Sequence, residues 1–172
     1  MSRPQNVQDF IDKFAAQAQA VARKWNLPDS VIIAQSGVET LWGKKVPGNA
    51  YFGVKANYAY YECLAKVKFD TREVQPGLSG VQSFCAYGTF FDAAVGYANF
   101  ITGSPQFAGA LANRKDAFKY AAGVADGGYA GGTDKAQREA YKALLHQVMR
   151  SFDLTELDRV IYVDPMTIVG GG

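Results

Sequence analysis

The chain has 172 residues, 48% of them hydrophobic and 20% charged, and carries a net charge of +2. That length fits one ordinary domain able to bury its own core, and the composition excludes disordered, collagen-like and coiled-coil classes. Lysines and arginines are scattered along the chain and form no dense block, so the charge pattern does not call for a nucleic-acid partner.

The amino terminus runs directly into an amphipathic helix, with no apolar stretch of the kind a secretory leader needs, and no stretch is long enough to span a bilayer. From Asn6 to Trp25 the apolar residues Val7, Phe10, Ile11, Phe14, Ala18, Val21 and Trp25 recur at three- and four-residue steps, which predicts the first helix. Leu27-Pro28-Asp29 breaks it and starts a second, expected from about Pro28 to Leu41. Glycines and Pro47 then hold residues 42–58 as an aromatic-rich loop. Alternation over Ala65–Thr71 and β-forming residues over Val81–Tyr87, separated by Pro76, Gly77 and Gly80, predict a β-hairpin inserted between helices. Thr89 is a candidate cap for a helix to about Ile101, Ser104-Pro105 starts another, and Lys115 to Val124 suits a further short helix. After the glycine-rich turn at 127–132, Thr133 or Asp134 caps a last helix with Tyr141, Leu144, Leu145, Val148, Met149 and Phe152 on one face. The tail around Val160–Val163 reads as either a short strand or a docking extension.

Two cysteines, Cys63 and Cys85, are too few for a disulfide framework. A simple hairpin register turning at Pro76-Gly77 sets Cys85 opposite roughly residue 68, so the two pair only if the strands are irregular. His146 is the sole histidine and, beside Leu145, reads as packed or at the surface. Asp70 and Asp92 are further acids near the expected site, Asp92 fitting best as a helix-start charge. No metal or cofactor is expected.

Gln35 and Glu39 lie four apart on the second helix and Trp42 three beyond, which places all three on one face near its end. A carboxyl half desolvated against a ring stays protonated near neutral pH and can donate to a leaving oxygen. The spacing alone fits an exposed glutamate better.

The wording of the segment changes that balance. Ala34-Gln35, Glu39 and Trp42-Gly43, followed by Asn49, Phe52-Gly53 and Lys55-Ala56, resemble the bacterial glucosaminidases of glycoside hydrolase family 73, whose signature joins these two blocks. The likeness continues through Thr71-Arg72-Glu73, Phe84-Cys85-Ala86-Tyr87, Ser104-Pro105-Gln106-Phe107 and Gly128-Tyr129-Ala130, and covers roughly Val7 to Phe152. The chain departs from the family after Tyr129, where Gly131-Gly132-Thr133-Asp134-Lys135 precedes a tyrosine reached only at Tyr141. Phe107 stands for a usual tyrosine and Tyr51 for a usual leucine.

The resemblance implies a mostly α, α+β fold: a lysozyme-like helical domain over residues 1–152, with the hairpin as a lobe beside the groove and residues 153–172 as an extension. It implies cleavage of the β-1,4 bond between N-acetylglucosamine and N-acetylmuramic acid, with Glu39 as the acid. Glu73 becomes the second carboxylate, as base, nucleophile or cation stabiliser, or as a helper to attack by the substrate's own acetamido group. Tyr129, Gln35, Trp42, Tyr51 and Phe52 become candidate substrate-binding residues. A lytic transglycosylase, a muramidase or a phage endolysin is the rival within enzymes, and a wall-binding module the rival outside them. The partners implied are peptidoglycan strands and an immunity protein over the groove, for a monomer that leaves the cytoplasm without a standard leader and acts in the periplasm of a target bacterium.

Overall fold

The computed structural model describes residues 2–55, 65–70 and 81–162. Helix α1 spans Gln5–Trp25 and buries one stripe, Val7, Phe10, Ile11, Phe14, Ala18, Val21 and Ala22. It ends where Asn26 turns left-handed, at φ 55°. Helix α2, Asp29–Thr40, is buried along its length except at Val38 and Glu39. Helix α3 is Phe90–Gly103, α4 Ala108–Leu111, α5 Ala117–Asp126 and α6 Lys135–Ser151. Three of these starts are capped by side chains: Thr89 accepts from the Asp92 amide at 3.1 Å, Asp116 from Lys119 at 3.1 Å and Asp134 from Gln137 at 2.9 Å. Each such cap contributes about 1 kcal/mol. Of the two expected caps for α6, Asp134 is therefore the one used.

Strands β1, Ala65–Asp70, and β2, Val81–Ala86, pair antiparallel, with Ala65 opposite Ala86 and Asp70 opposite Val81. Cys85 faces Lys66 across the ladder, two places from the register expected at residue 68. It is buried and disulfide-bonded, while Cys63, the other cysteine of the chain, lies outside the described residues. An isolated bridge from Lys55 to Phe84 ties the loop after α2 to β2.

The core is one continuous cluster joining α1, α2, α3, α5 and α6. Phe10, Phe14, Tyr51 and Phe90 pack ring on ring, Phe14 and Phe90 stacked at 4.3 Å. A 3-10 turn over Leu154–Arg159 adds the buried Leu154 and Leu157 to the same core. Beyond it the backbone docks on α1 without forming a strand up to Tyr162: Gln19 donates to the Val160 carbonyl, and the Tyr162 amide donates to Gln19 at 2.8 Å. His146 sits against the Phe118 ring with Nε2 2.8 Å from the Phe118 carbonyl, a packing role. Among the described residues no helix is long and apolar enough to cross a membrane, and no cluster of metal-ligating side chains occurs.

The amino end of α2 carries the clasp that holds this carboxyl-terminal segment. Asp158 accepts from the Ser30 amide at 2.9 Å and from its hydroxyl at 2.6 Å. Asp29, 5% exposed, hydrogen-bonds to Asp158, and burial first, then Asp158, pushes its pKa from 3.8 to about 8. Asp29 therefore keeps its proton at neutral pH. A folded-state pKa above the unfolded value means stability that is full below pH 4 and drains away as pH rises through about 8, because the unfolded chain ionises first. Asp29→Asn should match the wild type in urea unfolding at pH 4 and gain on the order of 2 kcal/mol over it by pH 8. Parallel stability curves across that interval would exclude a raised pKa for Asp29.

Candidate active site

Glu39 stands on the last turn of α2, at the negative pole of the helix, where backbone carbonyls disfavour a carboxylate. Its side chain is open to solvent on one side and closely walled by protein on the others. Desolvation by that wall pushes its pKa from 4.5 up to about 7, and hydrogen bonding from the Tyr141 hydroxyl pulls it down. The residue is nonetheless exposed, so solvent and a ligand can reach the carboxyl. Neither cause of the shift is a cation.

The carboxyl rests on the loop after α2. Gly53 has φ +60°, and a Cβ there would stand 3.0 Å from Glu39 Oε2. Only glycine both takes the left-handed backbone without strain and leaves room for the acid. The remaining wall is tyrosine. Tyr141 of α6 and Tyr129 of the preceding loop stack with centroids 6.0 Å apart and planes 9° from parallel. Burial raises both phenols well above 10, and the Glu39 charge raises them further, so both stay neutral. The Tyr129 hydroxyl donates to the Phe52 carbonyl, which fixes the Gly53 loop against the helical core.

The sequence-predicted residues separate into three groups. Glu39 and Tyr129 stand close enough for the Glu39 charge to raise the Tyr129 phenol. Gln35 is fully buried, with both ends of its amide engaged by Tyr97 and Tyr141, so it stands behind the acid and cannot touch a ligand in the groove. Trp42 is half-buried, and Tyr51 and Phe52 are buried in the core. The expected face failed because α2 stops at Thr40 and both Leu41 and Trp42 turn left-handed, at φ 50° and 57°. Trp42 folds back onto Gly37, where an added Cβ would meet its ring at 2.4 Å, and packs edge-on to Phe10 and Phe152. Tyr51, 7% exposed, packs among Phe10, Phe14 and Phe90, and Phe52, 2% exposed, stacks on Tyr97 at 4.7 Å. Glu73 lies outside the described residues.

Sequence reasoning missed Tyr141 and Tyr97. Tyr141 sat on the apolar face of a helix pattern and read as core, which by burial it is; only its hydroxyl reaches the acid. A cavity of about 310 Å³ at the opposite end of α2, lined by Asp29, Arg114 and Asp158 among others, is separate from this site.

The family model described as glucosaminidase, mannosyl-glycoprotein endo-beta-N-acetylglucosaminidase, matches residues 15–154. The chain belongs to this family. Among relatives, the glucosaminidase-family chain is 30% identical to the exo-glucosaminidase LytG of Bacillus subtilis over 165 residues, covering 89% of this chain and 54% of that protein. It is 27% identical to the peptidoglycan hydrolase FlgJ of Vibrio parahaemolyticus over 131 residues, 72% of this chain and 42% of that one. The chain thus spans only about half the length of these relatives or less. Its fold is similar to the catalytic domain of the autolysin Auto from Listeria monocytogenes, with TM-score 0.69, 25% identity and coverage of 91% and 90%.

Within this glucosaminidase fold Gly53 is the residue whose side chain cannot grow. Gly53→Ala should cost about 1 kcal/mol in stability from the left-handed backbone alone. It should also shift the titration of the Glu39 carboxyl, because the new methyl stands 3.0 Å from Glu39 Oε2. Denaturant melts and carbon NMR titration on the same preparation separate the two, and an unmoved Glu39 titration would remove Gly53 from the site.

Proposed function

We propose that the protein is a peptidoglycan hydrolase that cleaves the β-1,4 bond between N-acetylglucosamine and N-acetylmuramic acid. The observation that carries this reading is Glu39: an acid at the open end of a buried helix, held near half-protonation at neutral pH by uncharged walls. Such a group donates its proton to the glycosidic oxygen as positive charge develops on the sugar ring. Tyr141, donating to the carboxylate left behind, favours the charged form that this step produces. Glu73 serves as the second carboxylate in this reading, supported by its place in the Thr71-Arg72-Glu73 motif. Tyr129, beside the acid and anchored on the Phe52 carbonyl, borders the sugar. The peptidoglycan hydrolases among the relatives support the substrate class.

The finer biological reading is an antibacterial effector that acts in the periplasm of a target bacterium and is silenced by an immunity protein seated over Glu39. Its support is a shared fold with a chain of a type VI secretion system effector–immunity complex from Pseudomonas protegens, at TM-score 0.58 and 17% identity.

Purified sacculi digested by the protein should yield fragments ending in reducing N-acetylglucosamine by mass spectrometry. Reducing or anhydro N-acetylmuramic acid ends would reassign the bond. Since the protonated acid is the active form, kcat/KM should fall as pH rises through about 7.

Glu39→Gln should fold as the wild type does and lose at least about 1000-fold in rate. Directed to the periplasm of a Gram-negative host, the wild-type chain should cause lysis, and the variant should not. Retained lysis by the variant would take the acid's role from Glu39.

A further inference from the structure

The cavity at the amino end of α2 is walled by three stretches of chain far apart in sequence. The end of α1 brings Arg23, the turn before α5 brings Arg114 and Lys115, and the carboxyl-terminal segment brings Arg159. Among the described residues, no side-chain hydrogen bond or salt bridge engages any of these four cations. Charges of one sign around a concave wall add their fields inside it, which draws in ions of the other sign.

The acids on the same wall do not cancel that field. Asp158 turns both carboxylate oxygens to Ser30, one to the amide at 2.9 Å and the other to the hydroxyl at 2.6 Å. Asp29 is buried and keeps its proton at neutral pH. Four cations therefore face a single ionised acid, and that acid is already engaged.

Arg114 is the residue the fold leaves unanswered. It is half-buried, and its Nε is closed off from water yet has no hydrogen-bond partner. In Arg3 and Arg138 the same atom donates to a backbone carbonyl, that of Phe152 at 2.6 Å and that of Gly132. An enclosed donor without an acceptor costs free energy, and with no protein partner the guanidinium charge is left to be met from the cavity it lines. Carboxylates and phosphates match a guanidinium through paired, charge-assisted hydrogen bonds. The volume, about 310 Å³, falls at the small end of sites that hold organic ligands.

We propose that this cavity is a binding site for a small oxyanion, a carboxylate or a phosphate ester, held by Arg114 with Arg23, Lys115 and Arg159 around it. The site lies about 15 Å along α2 from Glu39, so its ligand does not touch the reacting bond, and the inference does not depend on the hydrolase reading. A ligand held by both Arg114 and Arg159 ties the carboxyl-terminal segment to the turn before α5. It therefore stabilises the folded chain in proportion to its occupancy.

The test follows the arginine Nε–H signals of the intact protein by proton–nitrogen NMR at constant ionic strength. Inorganic phosphate is one probe, and acetyl-alanyl-alanine, a peptide with one free carboxylate, is the other. The Arg114 signal should move and saturate in the millimolar range, while those of Arg3 and Arg138, already bonded to carbonyls, stay in place. The saturating probe should also raise the Tm of the wild type by about 3 °C more than that of Arg114→Gln. Phosphate stabilises most proteins by exclusion from their surface, and the comparison with the variant removes that general effect. Arg159→Gln changes an exposed side chain, should weaken binding several-fold, and takes the place of Arg114→Gln if that variant does not fold. Response to one probe alone supports the site and identifies the acid group it takes. An Arg114 signal that neither probe moves, or an equal gain in Tm in wild type and variants, would overturn the proposal.

Discussion

The candidate site depends on a carboxyl held near half-protonation at the end of a helix that is otherwise inside the protein. Helix α2 is buried from Asp29 to Gly37, and its side chains must be apolar, small or fully hydrogen-bonded, since a buried polar group without partners costs a few kcal/mol. Gln35 and Ser36 meet this demand by engaging tyrosines and the helix's own carbonyls. Glu39 is the first long polar side chain past that region, and it inherits walls built for burial. Its raised pKa follows from where the helix surfaces.

Both ends of α2 hold a raised acid, and burial is the first cause of each. At the amino end the helix dipole favours a carboxylate, and Asp158 already takes that position on Ser30. Asp29 is left as the second acid in a dry place and keeps its proton. At the carboxyl end burial raises Glu39, and the Tyr141 hydroxyl offsets part of the rise. The two sites differ in exposure: Asp29 is 5% exposed and holds the carboxyl-terminal turn, whereas Glu39 is open to solvent. A raised pKa does not distinguish the two. The exposure does.

The helices were legible because their information is local: the apolar stripe of α1, the Pro28-Asp29 start of α2 and the cap residues Thr89 and Asp134 lie within a few residues of what they control. Glu39 and Tyr129, which the motif wording singled out, lie beside each other in the structure. Trp42 was misread because helical spacing was carried past Thr40, where two successive left-handed residues reverse the chain and send the ring to Gly37. Tyr51 and Phe52 were misread because an aromatic loop looks the same in sequence whether its rings line a groove or fill a core. Tyr141 and Tyr97 went unseen because a phenol on an apolar stripe packs like phenylalanine, and the destination of its hydroxyl is set by residues 106 and 62 positions away.

Those separations bear on how the site is assembled. Gln35 is on α2, Tyr97 on α3, Tyr120 on α5 and Tyr141 on α6, and each hydrogen bond among them crosses between elements. No pair of neighbouring helices can build the wall behind Glu39 alone. Without α6 the carboxyl would lose Tyr141, and Tyr129 would lose the ring it stacks on. The raised pKa of Glu39 therefore depends on several helices of the core packing together. Substitutions in that core, even far from the groove, act on the protonation of Glu39 as well as on the stability of the fold.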